Sequence, residues 1–278
     1  MPSSASATGI ERMVIRRNES GARMVRAKER LRDGNNFVYD VEVTDARGEM
    51  IERWDGLRLR AVEEMALGEA WPDALLSPYL ERRLEELTDA GAPVTVALER
   101  GLREERPAGT DAVIQQALGK TARIWRRPDG KPVFLSEEDV SAAHANDFTL
   151  AVAVAGGAAC DLEAVAARTA AEWRDLLGGE KFKLAGRIAR EQGESGDAAS
   201  TRLWMAMECL KKIGQPSKSP LVLESNTADG WTLLRSGAII ISTCVLAVHG
   251  MKMPLGVAVA LRSRVEKQQA PAAAKNAA

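Results

Sequence analysis

The sequence predicts an α+β protein in which a short strand-rich segment precedes a larger mixed domain. Residues 10–61 alternate apolar and polar side chains, as half-buried strands do, and no long helical pattern interrupts them. Beyond residue 120, strand patterns give way to three helical patterns and then to strand patterns again. The boundaries expected from these changes are 10–65 for an antiparallel strand segment and 66–266 for the larger domain.

Turn-forming and helix-forming residues divide each part into elements. In the first part, DGNN and DARGE separate the strands, so an antiparallel meander is expected. Helical spacing occupies 61–90, and residues 1–9 and 267–278 are expected to be disordered because they are small, polar or low in complexity. Later helices are expected at 163–177, 181–193 and 198–214, with strands such as VTVALE, FTLAVAVA, AACDLE, GWTLLR and PLGVAVALR around them.

Composition limits the classes of function. With 45% hydrophobic and 28% charged residues among 278, the balance is that of a soluble globular protein, and a net charge of −1 gives no field for nucleic acid or an anionic membrane. The three cysteines are far apart and form no CxxC pair, so neither a disulfide framework nor a zinc site is indicated. Without a signal-peptide pattern or a membrane-spanning apolar stretch, a cytoplasmic location is expected.

A pair of carboxylates is the first candidate for chemistry. Asp161 and Glu163 stand at i and i+2 on a predicted strand, so their side chains point the same way. Two such carboxylates repel unless a cation lies between them, and Mg²⁺ prefers carboxylate oxygens completed by waters and substrate phosphates. The alternative is a solvated pair at a strand end, and the spacing alone favours that alternative.

Further candidates stand on a predicted helix and at another strand end. Glu208 and Lys212 are at i and i+4, with Trp204 one turn earlier on the same face. Taken alone, this pattern favours an ordinary surface ion pair and a core tryptophan. His144 follows a strand pattern, where a ligand could approach, although a single histidine is more often structural. Each signal alone is weak, but their order and spacing together are more specific.

That order resembles the phosphopantetheinyl transferases, in the class built as a pseudo-dimer of two similar α+β halves. The family pattern has G-R/K-P, V-S-x-S-H, G-x-D-x-E and W-x-x-K-E-x-x-x-K segments. Here Gly130-Lys131-Pro132, Val140 to His144, Ala159 to Glu163 and Trp204 to Lys212 stand in their places. The resemblance covers residues 90–264.

The resemblance implies transfer of the phosphopantetheine arm of coenzyme A to a serine of an acyl carrier protein. Three carboxylates would hold Mg²⁺ against the pyrophosphate: Asp161, Glu163 and Glu208. Glu208 would also take the serine proton, Lys212 would balance charge on the leaving phosphate, and His144 and Lys131 would contact phosphate oxygens, including the 3′-phosphate. The expected carrier-docking patch comprises the arginines next to the Lys131 segment and a lysine on the helix of Glu208: Arg123, Arg126, Arg127 and Lys211. The alternative is that these arginines line a solvated strand.

Two departures from the family pattern leave an alternative open. Met207 stands where the family has a lysine, and Ala143 and Ala145 stand where it has serines beside the histidine. The alternative is a catalytically weakened module that binds coenzyme A or docks carrier proteins without turnover.

The first segment resembles a different family. FVYDVEVTDARGEMIERWDGLRLRAVE is similar to the last strands of a polyketide synthase dehydratase, a double hot-dog fold. A dehydratase tail running into a phosphopantetheinyl transferase resembles the C-terminus of enediyne-type iterative polyketide synthases, which makes upstream synthase domains expected partners. Neither histidine lies in the H-x-x-x-G-x-x-x-x-P motif of dehydratases, so no dehydration is expected. A purely structural role for these strands, as an interaction surface within a synthase, is the second alternative.

Overall fold

A computed structural model of the chain describes ten stretches of residues, which form two compact units. Unit 1 lies within Met1–Gly68 and unit 2 within Glu69–Ala278, whereas the boundary expected from the sequence lies between residues 65 and 66. The described stretches are 3–16, 23–45, 47–64, 70–88, 93–101, 106–121, 123–127, 132–133, 138–216 and 218–263.

Unit 1 is an antiparallel sheet in the order β1-β5-β4-β3, with β2 also paired to β5. Gly34 closes the β3–β4 hairpin at φ 54°, in the left-handed region that favours glycine. The strands of unit 1 are β1 Ser3–Gly9, β2 Arg12–Ile15, β3 Arg23–Asp33, β4 Asn36–Asp45 and β5 Met50–Glu64.

Long-range strand pairing corrects two expectations about this unit. The sequence predicts disorder for residues 3–9, but they form β1 because their backbone pairs with β5, from Ser3 opposite Glu64 to Gly9 opposite Arg58. The same pairing extends β5 to Glu64, through residues at which the sequence predicts the start of a helix. Backbone hydrogen bonds with a distant segment therefore override the local helical spacing.

Few apolar side chains of unit 1 are buried. Among its described residues, only Val43 and Ile51 belong to the buried apolar set, and all the described elements of unit 1 are strands. Met13, Ile15 and Val25 each expose more than half of their surface, at 53%, 58% and 64%. Within unit 1 itself, the described residues thus form one sheet layer with few buried apolar side chains, held mainly by its backbone ladders.

The first half of unit 2 is a three-stranded antiparallel sheet in the order β6-β10-β9. Apolar residues of α2 pack on one face of this sheet, with Ile114 fully buried. The elements of this half are α1 Leu76–Leu87 after a 3₁₀ turn at Asp73–Leu75, β6 Thr95–Arg100, α2 Arg106–Leu118, the short pair β7 Trp125–Arg126 and β8 Pro132–Val133, β9 Glu138–Ala145 and β10 Phe148–Ala155.

The second half is a five-stranded antiparallel sheet in the order β11-β15-β14-β13-β12, with three helices on one face. Its other face shares a core with the three-stranded sheet and α1, through residues such as Leu80, Leu150 and Leu162. The elements are β11 Ala158–Ala164, α3 Ala170–Leu177, α4 Gly179–Gln192, α5 Gly196–Lys212, β12 Val222–Asn226, β13 Thr232–Ser236, β14 Ile239–Leu246 and β15 Leu255–Arg262.

The α+β class with antiparallel sheets is confirmed. The first helix after β11 begins later than expected from the sequence, at Ala170, because Thr169 and Glu172 form a capping box there. All three cysteines are free and buried. None of the helices in the described stretches has the length and apolar character that crossing a bilayer requires. Residues 267–278, expected to be a disordered tail, lie outside the described residues.

Candidate functional site

Strand β11 and helix α5 position the predicted carboxylates. Alternate residues of β11 face opposite ways, so Cys160 and Leu162 enter the core between the sheets while Asp161 and Glu163 face α5. Helix α5 begins at an N-cap, Ser195, whose hydroxyl accepts a hydrogen bond from the Ala198 N–H at 3.1 Å. Opposite these carboxylates, α5 presents the side chains at i, i+4 and i+8 that the sequence analysis singled out: Trp204, Glu208 and Lys212.

Lys212 is held by the strand. Its Nζ donates to Oδ1 of Asp161 at 2.7 Å and to the carbonyl oxygen of Cys160 at 2.8 Å. The Asp161 side chain is 10% exposed and that of Lys212 is 32% exposed, so the ion pair lies at the edge of the interior. The second carboxylate oxygen of Asp161, Oδ2, is buried and has no hydrogen-bond partner among the described residues. Such an orphaned acceptor is costly in a folded protein.

The other two carboxylates lie beside this pair. The indole N–H of Trp204 donates to Oε1 of Glu163 at 3.3 Å, and Glu208 forms a longer ion pair of 3.5 Å with Lys211. Glu208 is 26% exposed, whereas Lys211 is 65% exposed. Asp161 is therefore the most buried carboxylate of the group, and Glu208 is open to approaching ligands.

Burial and like charge act on these acids in the same direction. Burial raises the pKa of Asp161, the Lys212 ammonium opposes the rise, and the charge of Glu208 adds to it. Burial also raises the pKa of Glu163, and the charge of Asp161 adds to that effect. Burial alone would lower the pKa of Lys212, but the charge and hydrogen bond of Asp161, together with smaller effects of Cys160 and Cys209, raise it overall. The site thus has a surplus of negative charge that Lys212 only partly neutralises.

The arrangement fits a magnesium ion in part. In the described stretches, no three His, Cys, Asp or Glu side chains are gathered closely enough to form a ready-made metal cage. Mg²⁺, however, is commonly held by one or two carboxylates and keeps waters or substrate phosphates in its remaining positions. The orphaned Oδ2 of Asp161 and the neighbouring carboxylate of Glu163 provide donors of the right chemistry. The donor set therefore suits an ion that arrives with a phosphate ligand.

A pocket adjoins Glu163. Its volume is about 170 Å³, and its walls include Trp173, Leu176 and Trp204, with Arg168 at the rim. The Arg168 guanidinium lies 5.4 Å from the ring centre of Trp173. Sequence reasoning missed Arg168 and Trp173, although the capping box of Thr169 and Glu172 between them marks the start of α3. The pocket gives a group of mixed polar and apolar character a place next to the site.

His144 lies on β9, in the three-stranded sheet of unit 2, and its side chain faces α2. Its Nε2 is 2.8 Å from the Thr110 hydroxyl of α2. The residues on either side of it, Ala143 and Ala145, point the other way into the core between the sheets, where they are 4% and 8% exposed. The alanines thus stand at core positions rather than beside the histidine ring, so packing accounts for the missing serines.

The remaining predicted residues are only partly described. Lys131 lies outside the described residues. In the expected docking patch, Arg126 pairs with Asp111 in the middle of α2, and the Arg123 guanidinium lies 5.3 Å from the Trp125 ring centre. Met207, which replaces the family lysine, packs half-buried against the core under α5.

Comparison with known proteins identifies part of the chain. The sequence model of the polyketide synthase dehydratase N-terminal domain family matches residues 7–69, which contain nearly all of the unit 1 sheet. No curated protein matches the chain. The resemblance of the first segment to a polyketide synthase dehydratase is therefore confirmed. The matched family is described as the N-terminal domain, whereas the sequence analysis favoured the last strands of such a dehydratase.

Proposed function

We propose that unit 2 is a Mg²⁺-dependent phosphopantetheinyl transferase that modifies an acyl carrier protein of a polyketide synthase, in the enediyne-type arrangement. The observation that supports this function is the meeting of β11 and α5, which joins Asp161 to Lys212 and Glu163 to Trp204. These four residues belong to two separate sequence motifs of the resembling family. The dehydratase match at residues 7–69 supports the polyketide synthase context.

The substrate explains why the site needs both carboxylates and a cation. Coenzyme A brings a pyrophosphate, and Mg²⁺, when bound, would neutralise charge on its oxygens. Asp161 and Glu163 would hold the ion from the strand side, and the family resemblance implies Glu208 as a third ligand from the helix side, although the structure does not gather it with the other two. Lys212 would supply a positive charge near the leaving phosphate. The pocket beside Glu163 would take the uncharged pantetheine arm.

The chemical step requires little covalent work from the protein. The hydroxyl oxygen of the carrier serine bonds to the β-phosphorus of coenzyme A, and the bond from that phosphorus to the oxygen bridging to the nucleotide breaks. The nucleotide leaves as adenosine 3′,5′-bisphosphate, and the serine proton passes to Glu208. Glu208 suits this role because it is the more open carboxylate, and its ion pair of 3.5 Å is with a well-exposed lysine. Contacts of His144 and Lys131 with the 3′-phosphate stay predictions of the family resemblance.

The test is a mass measurement on the full chain. Incubation with coenzyme A, Mg²⁺ and an apo carrier domain from a polyketide synthase should add the mass of one phosphopantetheine to the carrier. Asp161→Ala should abolish the transfer without unfolding the protein, because it removes a like charge from a crowded group. Asp175→Ala, at an exposed position of α3, is the matched control and should transfer normally. Full transfer by Asp161→Ala would rule out the metal role of this residue.

A second candidate is a carrier-docking module without turnover. The observation that favours it is Met207, a side chain packed against the core where the family pattern has a cation. In the same incubation this candidate predicts carrier binding, measured by calorimetry, with no change in carrier mass over long incubation.

A further inference from the structure

The contact between Lys212 and Asp161 suggests how the metal-free site is kept together. Without a metal, a buried carboxylate between two other acids needs a counter-charge. Lys212 provides it through its 2.7 Å contact with Oδ1, and the 2.8 Å bond to the Cys160 carbonyl fixes the ammonium at this position. The other oxygen, Oδ2, finds no hydrogen-bond partner in the described part of the chain. One oxygen of the carboxylate is thus paired with the ammonium, and the other is buried with no hydrogen-bond partner among the described residues.

We propose that Lys212 is an internal counter-ion that competes with the divalent metal for Asp161, and that metal binding releases its ammonium toward the phosphates. This proposal rests on the proposed transferase function, because it assumes that the carboxylates bind Mg²⁺. A divalent ion on Oδ2 and an ammonium on Oδ1 would share one carboxylate and repel each other at short range. The ammonium binds the Asp161 carboxylate more weakly than a divalent ion does. Because the Lys212 side chain is also flexible and 32% exposed, it is the group that can move.

The exchange gives the lysine two uses within one site. In the metal-free protein it keeps Asp161 oriented toward α5, which preserves the metal site. Once displaced, it remains at the C-terminal end of α5, next to Glu208, where phosphate oxygens bound to the metal would meet it. A fixed structural tether would behave differently, because it would keep both of its hydrogen bonds after the metal binds.

Metal affinity without coenzyme A tests the exchange directly. Mn²⁺ binding to the full-length protein is measured by electron paramagnetic resonance for the wild type, Lys212→Met and Lys211→Met. Removing the competing ammonium should tighten Mn²⁺ binding by about tenfold or more. Lys211 is the matched control, since it is adjacent, has the same charge and also pairs with a carboxylate, but is 65% exposed. Its removal should change the affinity by less than about threefold, because exposed ion pairs are weak.

A second measurement on the wild type guards against a misfolded variant. Lys212 is acetylated with acetic anhydride in the presence and absence of Mg²⁺, and the extent is read by peptide mass spectrometry, with Lys211 as the internal reference. Exchange predicts that Mg²⁺ raises the acetylation of Lys212 relative to Lys211. A Lys212 reactivity that Mg²⁺ leaves unchanged or lowers overturns the proposal. So does equal tightening of Mn²⁺ binding in both variants, weaker binding in Lys212→Met, or no Mn²⁺ binding by any of the proteins.

The carrier-modification assay separates this proposal from the proposed function. Wild-type protein that modifies the carrier but shows no exchange would refute the counter-ion role and leave the transferase assignment intact. Protein that shows the exchange but modifies no carrier would refute the transferase assignment, and Asp161 would then belong to a metal site of another use.

Discussion

Replacing Asp161 by asparagine should stabilise the metal-free protein while abolishing transfer. The carboxylate is 10% exposed, one of its oxygens is orphaned, and its pKa is raised chiefly by burial even though Lys212 contacts it. The net direction shows that the surroundings disfavour the anion despite its partner. Asparagine has nearly the same shape, keeps an oxygen for the Lys212 ammonium and has no charge to bury.

The expected gain can be estimated from two opposing effects. Removing a buried charge relieves a desolvation cost of about 1–3 kcal/mol, although the asparagine leaves a buried polar atom at the position of the orphaned oxygen. Weakening an ion pair whose lysine is partly exposed costs up to about 1 kcal/mol. The net stabilisation is therefore about 1 kcal/mol, which raises the Tm of a domain of this size by about 2–4 °C.

The gain should depend on pH in a defined direction. An acid whose folded pKa lies above its unfolded value contributes stability that is complete below the unfolded pKa, about 3.9 for an aspartate, and is lost as pH rises through the folded pKa. Asparagine does not titrate. The Tm difference between Asp161→Asn and the wild type should therefore be largest at neutral pH and close in acid.

Scanning calorimetry in the presence of a chelator measures this difference, and Asp175→Asn at an exposed carboxylate serves as the control. Added Mg²⁺ should then raise the Tm of the wild type and leave that of Asp161→Asn unchanged, because only a ligand that binds the folded state stabilises it. A variant that melts below the wild type at neutral pH, or a difference that persists in acid, would show that the carboxylate is not strained by its burial.

Three further changes test other parts of the molecule. Trp204→Phe keeps the apolar ring but removes the N–H that donates to a carboxylate of the site, so the Mg²⁺ concentration for half-maximal transfer should rise about tenfold; an unchanged Mg²⁺ dependence would contradict the contact's role. Arg202 is 2% exposed and its guanidinium donates to both carboxylate oxygens of Glu194 at 2.9 Å. Arg202→Met should lower the unfolding free energy by about 3–5 kcal/mol in denaturant titrations, because it leaves that acid partly buried and unpaired, whereas the exposed Arg187→Met should change it little. Arg127→Glu should raise the KM for the carrier about tenfold, with a defect that shrinks at high salt; a change in the coenzyme A KM alone would place this arginine in the cofactor pocket instead.

The spacing of apolar side chains along the sequence correctly predicted the helices and strands that have a buried face. β10 and β11 bury most of their side chains, as their apolar patterns predicted, and α5 has buried residues along its whole length. The misplaced segments are those that depend on distant partners. β1 is small and polar, and the end of β5 has helical spacing, yet each is fixed by the backbone of the other. No local pattern encodes such a pairing.

In the candidate site too, the sequence predicted what depends on local spacing and could not predict what depends on distant contacts. The i, i+2 spacing of the carboxylates and the i, i+4 spacing on α5 correctly placed Asp161 and Glu163 on one strand face and Glu208 and Lys212 on one helix face. The sequence could not show which cation reaches which acid, because the Lys212 contact depends on how α5 crosses β11. It also could not show that His144 lies on the α2 face of β9, since the strand's core face is set by Ala143 and Ala145.

Met207 bears on the balance of charge at the site. The methionine packs against the core under α5 and supplies no cation, so the neutralisation falls to Lys212 and, more weakly, to the exposed Lys211. With fewer cations among the carboxylates, the repulsion that a divalent ion relieves is larger, and the ion meets less competition. In the proposed transferase, a methionine where the resembling family has a lysine would therefore favour metal binding, while it would remove a contact for the substrate phosphates. The expected consequence of Met207 is a weaker hold on coenzyme A rather than on Mg²⁺.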